Sequence, residues 1–298
     1  MATPSPRTTN VWDVINFVTN HHDTYPLISP ANADLSGKSV LITGASKGVG
    51  RATAIRFAMA GCSKIALAAR SPLSEIEREV KAAAIDAGWP EPQILSLGMD
   101  VTVEESIVEA AARLGQAFGG SLDVLVANAG YLAEWKPLAE SDPAEWWKSW
   151  EINMKGTYLC AKHFIPLMLE SSLKTLIILS SGGAHALFFG ASAYQTTKFA
   201  LCRFTEFVDQ EYHDKGLIAI AIHPGGVKTE LALNMPKAQY TVLRDTPELS
   251  ADAIVWLAKE RREWLAGRFF SCNWDVKELE DRKDEIVDKD LLKFRLRI

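Results

Sequence analysis

Tyr194 and Lys198 stand four residues apart in a stretch, 193–213, whose apolar positions recur at helical spacing. A phenol and an ammonium therefore share one helix face and can converge on one point. A tyrosine hydroxyl has a pKa of about 10 and is a weak acid near neutrality. Lowering it by about 3 units takes about 4 kcal/mol in favour of the phenolate. A lysine charge at about 4 Å supplies about 1 kcal/mol in water and about 4 kcal/mol at an effective dielectric of about 20. The pair is thus a proton-transfer device only in a partly desolvated site. Taken alone, Y-x-x-x-K is common by chance. A second chemical signal lies upstream, where Val40-Leu41-Ile42-Thr43 runs into Gly44-Ala45-Ser46-Lys47-Gly48-Val49-Gly50 and then into a helical pattern. Glycines let a backbone turn tightly against a pyrophosphate, and the helix that follows offers free N–H groups and a positive dipole end. The spacing is G-x-x-x-G-x-G rather than G-x-G-x-x-G, and no Lys-Ser/Thr pair follows Gly50, which disfavours a triphosphate loop.

The elements that must position these groups follow a strict alternation. Short apolar runs occupy 39–43, 64–69, 93–98, 122–127, 175–180 and 217–223, several without polar alternation, as expected of strands buried on both faces of a parallel sheet. Helical patterns lie between them near 49–60, 72–87, 103–118, 143–171 and 193–213, with Ser71-Pro72 reading as a cap and first-turn proline. A further helix at 250–263 and a strand at 268–272 complete the series. The expected fold is one α/β unit, doubly wound and Rossmann-type, a three-layer sandwich around a mainly parallel sheet of about seven strands. Residues 1–36 read as an N-terminal extension, in which Val11, Val14, Ile15 and Val18 suggest a short amphipathic helix. Residues 37–274 read as the domain that carries the site, and 275–298 as a helical C-terminal extension. The stretch 228–249 breaks the rhythm with Pro236, Pro247 and four apolar side chains (Leu231, Leu233, Met235 and Tyr240), and reads as a lid over a substrate.

Thr43-Gly44-Ala45-Ser46-Lys47-Gly48-Val49-Gly50 resembles the cofactor motif of the short-chain dehydrogenase/reductase superfamily. Asn128-Ala129-Gly130 after the fourth strand, Asp100-Val101 after the third and Pro224-Gly225-Gly226-Val227-Lys228-Thr229 after the sixth resemble further family motifs, in order, over roughly residues 38–230. The chain ends beyond that range resemble the family less, in the manner of a fungal branch. The resemblance implies that Ser181, 13 residues before Tyr194, orients a carbonyl oxygen. It implies that Tyr194 delivers the proton, that Lys198 also holds the nicotinamide ribose, and that Asn153 anchors a water leading from Lys198. It places Gly44, Ser46, Lys47, Gly48, Val49 and Gly50 on the pyrophosphate end, Asp100 and Val101 at the adenine, and Asn128, Ala129, Gly130, Tyr194, Lys198, Pro224, Gly225, Val227 and Thr229 along the rest of the dinucleotide. An acid after the second strand marks NAD-binding sites. That position is Ala69, followed by Arg70, and Lys47 stands on the other side, so NADP(H) is the expected cofactor.

Composition narrows the setting. A formal net charge of −5 gives no basic field for nucleic acid, and no run approaches a membrane span or a secretory leader. The tail cations Lys293, Arg295 and Arg297 read as a solvated helix face. Cys62, Cys160, Cys202 and Cys272 show neither zinc nor disulfide spacing and read as buried thiols of a cytoplasmic protein. The six histidines contain no H-E-x-x-H, so no metal is expected. Trp135, His185, Leu187, Phe188 and Phe189 flank the reacting centre in sequence and point to an apolar small-molecule substrate, with core packing and a solvated or capped His185 as the alternatives. Trp146, Trp147 and Trp150 read as core or subunit interface, and a homo-oligomer is expected. The function expected is hydride transfer between NADP(H) and a carbonyl or alcohol. The alternatives are an isomerase, dehydratase or cyclase in the same pocket, or a non-catalytic NADP-binding regulator.

Overall fold

In a computed structural model, residues 16–296 are described. The candidate helix through Val11, Val14 and Ile15 begins outside them, as does Arg297. The sheet is built from β1 Ser39–Thr43, β2 Lys64–Ala69, β3 Gln93–Gly98, β4 Val124–Ala127, β5 Thr175–Leu179, β6 Ile218–His223 and β7 Arg268–Ser271. Its strand order is β3-β2-β1-β4-β5-β6-β7 and every pairing is parallel. The order reverses beside β1, where Val40 pairs with Ile65 on one side and Val124 on the other. A doubly wound sheet opens a crevice at that switch point, outside the carboxyl ends of its strands.

The helices are α1 Gly48–Met59, α2 Ser74–Asp86, α3 Glu104–Phe118, α4 Pro143–Trp150, α5 Gly156–Leu169, α6 Ser192–Tyr212, α7 Pro247–Ala258, α8 Val276–Asp281 and α9 Lys283–Asp288. Successive strand side chains point to opposite faces, so one strand feeds two cores. Val40 and Ile42 pack with Phe57 of α1, Val80 of α2 and Ile254 of α7. Leu41 packs with Leu114 of α3, Phe164 of α5 and Leu201 of α6 on the other face. All four cysteines are buried and free. No helix among the described residues is long and apolar enough to cross a membrane.

Four local expectations are corrected. The helix expected over 143–171 is two helices joined by a π-turn, Glu151–Lys155; Asp142 caps α4 through Ala144 N and Glu145 N. Helix α2 starts at Ser74 with Leu73 before it, so Ser71-Pro72 is approach and not cap. Helix α7 runs earlier than expected, capped by Thr246 and finished by Ala258. Lys293 and Arg295 sit on no helix: Lys293 pairs with Asp290 at 2.8 Å, and Arg295 with Glu206 at 2.8 Å and Asp290 at 2.6 Å. Outside the sheet helices, residues 16–36 pack onto the body, with Ile28 and Leu35 fully buried in the first core. The tail covers the outer edge of β7, where Phe269 N donates to Leu292 O at 2.8 Å.

Candidate active site

The glycine run sits at the end of β1, in the crevice. Gly44 and Gly48 adopt φ of +66° and +58°, the left-handed region that favours glycine. A Cβ at Gly50 would lie 2.4 Å from Gly44 O and 2.5 Å from Asn128 Nδ2. Gly50 therefore stands behind the turn, where it admits the Asn128 amide, and not on the cavity wall. That amide donates to Thr43 O at 2.7 Å and Gly44 O at 3.2 Å, while Thr43 Oγ1 accepts from Asn128 N at 3.0 Å and Ala129 N at 2.9 Å. The two loops beside the switch point are thus locked together. Helix α1 has no side-chain cap and no acid in its first turn, so its first N–H groups remain available to an anion.

A cavity of about 770 Å³ runs from this turn along the carboxyl edge of the sheet. Gly44, Ser46, Lys47, Gly48 and Val49 wall one end, with Arg70, Asp100 and Val101 beside them. Both candidate phosphate cations are exposed and held by acids: Lys47 Nζ lies 2.5 Å from Glu230 Oε2, and Arg70 Nη1 3.9 Å from Asp100 Oδ2. Asn128, Ala129 and Gly130 wall the middle, and Pro224, Gly225, Val227 and Thr229 face them.

Ser181, Tyr194 and Lys198 meet on the same cavity. Ser181 follows β5, accepts from Gly183 N at 3.0 Å, and hydrogen bonds the Tyr194 phenol. Lys198 Nζ lies 5.4 Å from the centre of the Tyr194 ring and donates to Leu179 O at 2.7 Å. Burial pushes the phenol up to about 12, with the Ser181 hydrogen bond working the other way. Burial also pushes the Lys198 ammonium down to about 8. Burial thus favours the protonated phenol at Tyr194.

Asn153 is fully buried in the π-turn, off the cavity wall. Its Oδ1 accepts from Tyr131 N at 2.7 Å, and its Nδ2 donates to Tyr131 O at 2.9 Å and Thr197 Oγ1 at 3.0 Å. Both amide donors are thereby used. The side chain braces the loop after β4 against α6, one residue before Lys198.

The far half of the cavity is apolar, lined by Leu132, Trp135, Phe188, Leu231, Met235 and Leu243. The Trp135 and Phe188 rings lie 5.6 Å apart, and their loops are tied by Lys136 N donating to Gly190 O at 3.0 Å. The stretch expected as a lid forms two 3-10 turns, Ala232–Asn234 and Lys237–Val242, and contributes to this wall. Leu187 and Phe189 are exposed. His185 is half-buried and off the cavity; it packs against Phe269 and Phe294, with ring centres 4.4 Å away in each case. Sequence reasoning missed His223, which ends β6 on the cavity wall and is kept neutral by burial, its imidazolium pushed down to about 4.

The family model described as short chain dehydrogenase matches residues 38–239. The chain is 52% identical over 276 residues to the short chain dehydrogenase mpl6 of Monascus purpureus, covering 93% of this chain and 94% of that one. A short chain dehydrogenase from Shigella flexneri 2a, solved with NADP, is 26% identical with a TM-score of 0.68 over 81% of this chain and 99% of its own. A 3-ketoacyl-(acyl-carrier-protein) reductase from Brucella melitensis, solved with NADH, shares the fold at 24% identity, with a TM-score of 0.69 over 80% and 97%.

Proposed function

Because this chain belongs to the short-chain dehydrogenase family, with a fungal relative at 52% identity, we propose that it reduces a carbonyl group of a small, apolar organic molecule with NADPH. It is an oxidoreductase of a family that uses a nicotinamide dinucleotide, and the residues present fit that group. The Gly44–Gly50 turn leaves amide donors and room for a pyrophosphate. Lys47 and Arg70 would hold an extra phosphate on the ribose, in competition with Glu230 and Asp100. When bound, the dinucleotide supplies the hydride.

The protein's own groups manage the carbonyl oxygen. Ser181 donates a hydrogen bond to it and fixes its position. Tyr194, protonated in its desolvated pocket, gives it the proton. Lys198 holds the ribose and sets the charge beside the phenol, while Asn153 keeps α6 in register with the loop after β4. Trp135, Phe188 and Met235 take the apolar body of the substrate. In this reading residues 37–274 carry the reaction, with 228–249 as the lid and 275–298 as a packed extension, and the enzyme is a cytoplasmic homo-oligomer. The observation that carries it is the meeting of Ser181, Tyr194 and Lys198 with the glycine turn on one cavity. The test is NADPH consumption across a panel of apolar aldehydes and ketones. Tyr194→Phe is expected to abolish turnover and keep cofactor affinity within about twofold, since only the acidic hydroxyl is lost. Steady turnover by that variant refutes the assignment.

A further inference from the structure

Asp245 lies at the end of the lid, with its side chain only 3% exposed. It clasps the turn that follows β6 from both sides of its own backbone. Asp245 Oδ2 accepts from Gly226 N at 2.5 Å, and Asp245 N donates to Gly226 O at 3.0 Å. Val227 and Asp245 form a parallel bridge, so the two roots of the lid are joined as a neck. The fit leaves no slack. A Cβ at Gly225, whose φ is +91°, would stand 2.8 Å from Asp245 Oδ2, and one at Gly226 would stand 1.8 Å from Val242 O.

Two distant segments hold this carboxylate. Asn273, just past β7, donates from Nδ2 to Asp245 Oδ2 at 2.9 Å. His22, from the segment ahead of the sheet, places Nδ1 2.5 Å from Asp245 Oδ1. A carboxylate only accepts, so the imidazole donates from Nδ1. The same segment is anchored around that bond: Asn273 Nδ2 donates to His21 O at 2.9 Å, Thr246 N to His22 O at 3.1 Å, and Thr246 Oγ1 to Asp23 Oδ1 at 2.7 Å. Asp245 and the Pro224–Gly226 turn it clasps are both on the cavity wall.

We propose that His22 and Asp245 are positioning residues: the N-terminal segment, through His22, fixes the Asp245 clasp and thereby the cavity face that receives the nicotinamide end of the cofactor. This rests on the proposed function and on the resemblance of Pro224–Thr229 to the family motif that lies near the nicotinamide. The segment before β1 is then part of the binding machinery, although it lies more than 200 residues away in sequence from the turn it sets. His22 is the residue to test, because its side chain is partly exposed and its loss opens no core.

The experiment compares full-length wild type, His22→Ala and His22→Asn by calorimetric titration with NADP⁺ and NAD⁺. It repeats each with the matching fragment that lacks nicotinamide, 2′-phospho-ADP-ribose or ADP-ribose. Asparagine places an amide donor close to where Nδ1 stood. The expected result is that His22→Ala binds the whole dinucleotide about tenfold more weakly while the fragment changes less than about twofold, and that His22→Asn restores most of the difference. A merely stabilising contact would not separate dinucleotide from fragment. Equal affinities in wild type and His22→Ala, or equal weakening for dinucleotide and fragment, overturns the clasp and leaves the cofactor reading standing. Wild type that binds neither dinucleotide overturns both.

Discussion

Burial drives the Lys198 ammonium from 10.5 down to about 8, so the site holds its cation against desolvation. Below about pH 8 the group is charged both folded and unfolded and the penalty is complete. Between about 8 and 10.5 the unfolded chain keeps a proton that the folded chain has released, so this residue makes stability rise with pH there. The shift corresponds to something on the order of 3 kcal/mol. Replacing the ammonium by an apolar side chain of similar length removes that penalty and leaves the Leu179 carbonyl without its donor, which costs about 1–3 kcal/mol. Lys198→Met is therefore expected to lose turnover and to gain about 1 kcal/mol at pH 7, with the gain shrinking toward pH 10. Thermal unfolding across that pH range checks it, and a variant less stable than wild type at pH 7 contradicts it. The cofactor phosphate is decided by single residues too. Each charged hydrogen bond from Lys47 or Arg70 is worth about 1.5–3 kcal/mol, less where solvent screens it. Ala69→Asp with Arg70→Ala places an acid where free ribose hydroxyls bind and removes one cation. The ratio of kcat/KM for NADPH over NADH is expected to fall by about a hundredfold or more. An unchanged ratio, or a wild type that already prefers NADH, defeats this expectation.

Asn153 shows how an element makes a residue functional. The π-turn Glu151–Lys155 offsets the helix by part of a turn and aims the Asn153 amide at the backbone of Tyr131 and the hydroxyl of Thr197. Asn153→Ala leaves Tyr131 N without its acceptor and loosens α6 beside Lys198. It is expected to cost about 2–3 kcal/mol of stability and to slow turnover, with affinity for the nicotinamide-free fragment nearly unchanged. An unaltered melting temperature argues against the bracing role. The π-turn was not legible beforehand, because apolar spacing continues from Trp146 through Phe164 and one extra residue in a helical turn leaves no mark in composition. Strands were legible, since Val40–Ile42 and Leu176–Leu179 are uninterrupted apolar runs of the kind only a two-sided burial explains. The glycine turn and the Ser181, Tyr194 and Lys198 set were legible because chemistry there demands residue types at fixed spacing. His22 with Asp245 was not, since nothing local in either segment encodes a contact across 223 positions. The packing of His185 was no more local, its aromatic partners arriving from β7 and the tail.

At the scale of the molecule, the β7 edge of the sheet and an aromatic helix face both bear on the pairing of copies, and the first is covered by the tail. Edge strand β7 would offer unpaired backbone groups to a second sheet, but Leu292 O takes the Phe269 N–H and Leu291 O accepts from Arg268 Nη1 at 2.5 Å. The other surface is the outer face of α4, α5 and α6. Trp147 is 60% exposed, Phe207 57% and Tyr158 46%. Tyr158 packs edge-on to Phe204 with ring centres 6.5 Å apart, and Phe207 follows Phe204 by about one helical turn, so the aromatic surface is continuous across α5 and α6. Apolar patches of this kind on a soluble protein mark contact sites, and a two-fold pairing would bury the same strip twice. A stable interface buries about 800 Å² per partner, within reach of two long helices. Wild type is therefore expected to sediment as a dimer or larger at micromolar concentration. Tyr158→Glu with Phe207→Glu is expected to sediment as a monomer with the fold intact by circular dichroism, because both side chains are solvent-facing in the single chain. A wild type that is monomeric, or a double variant that still associates, removes this face as the interface.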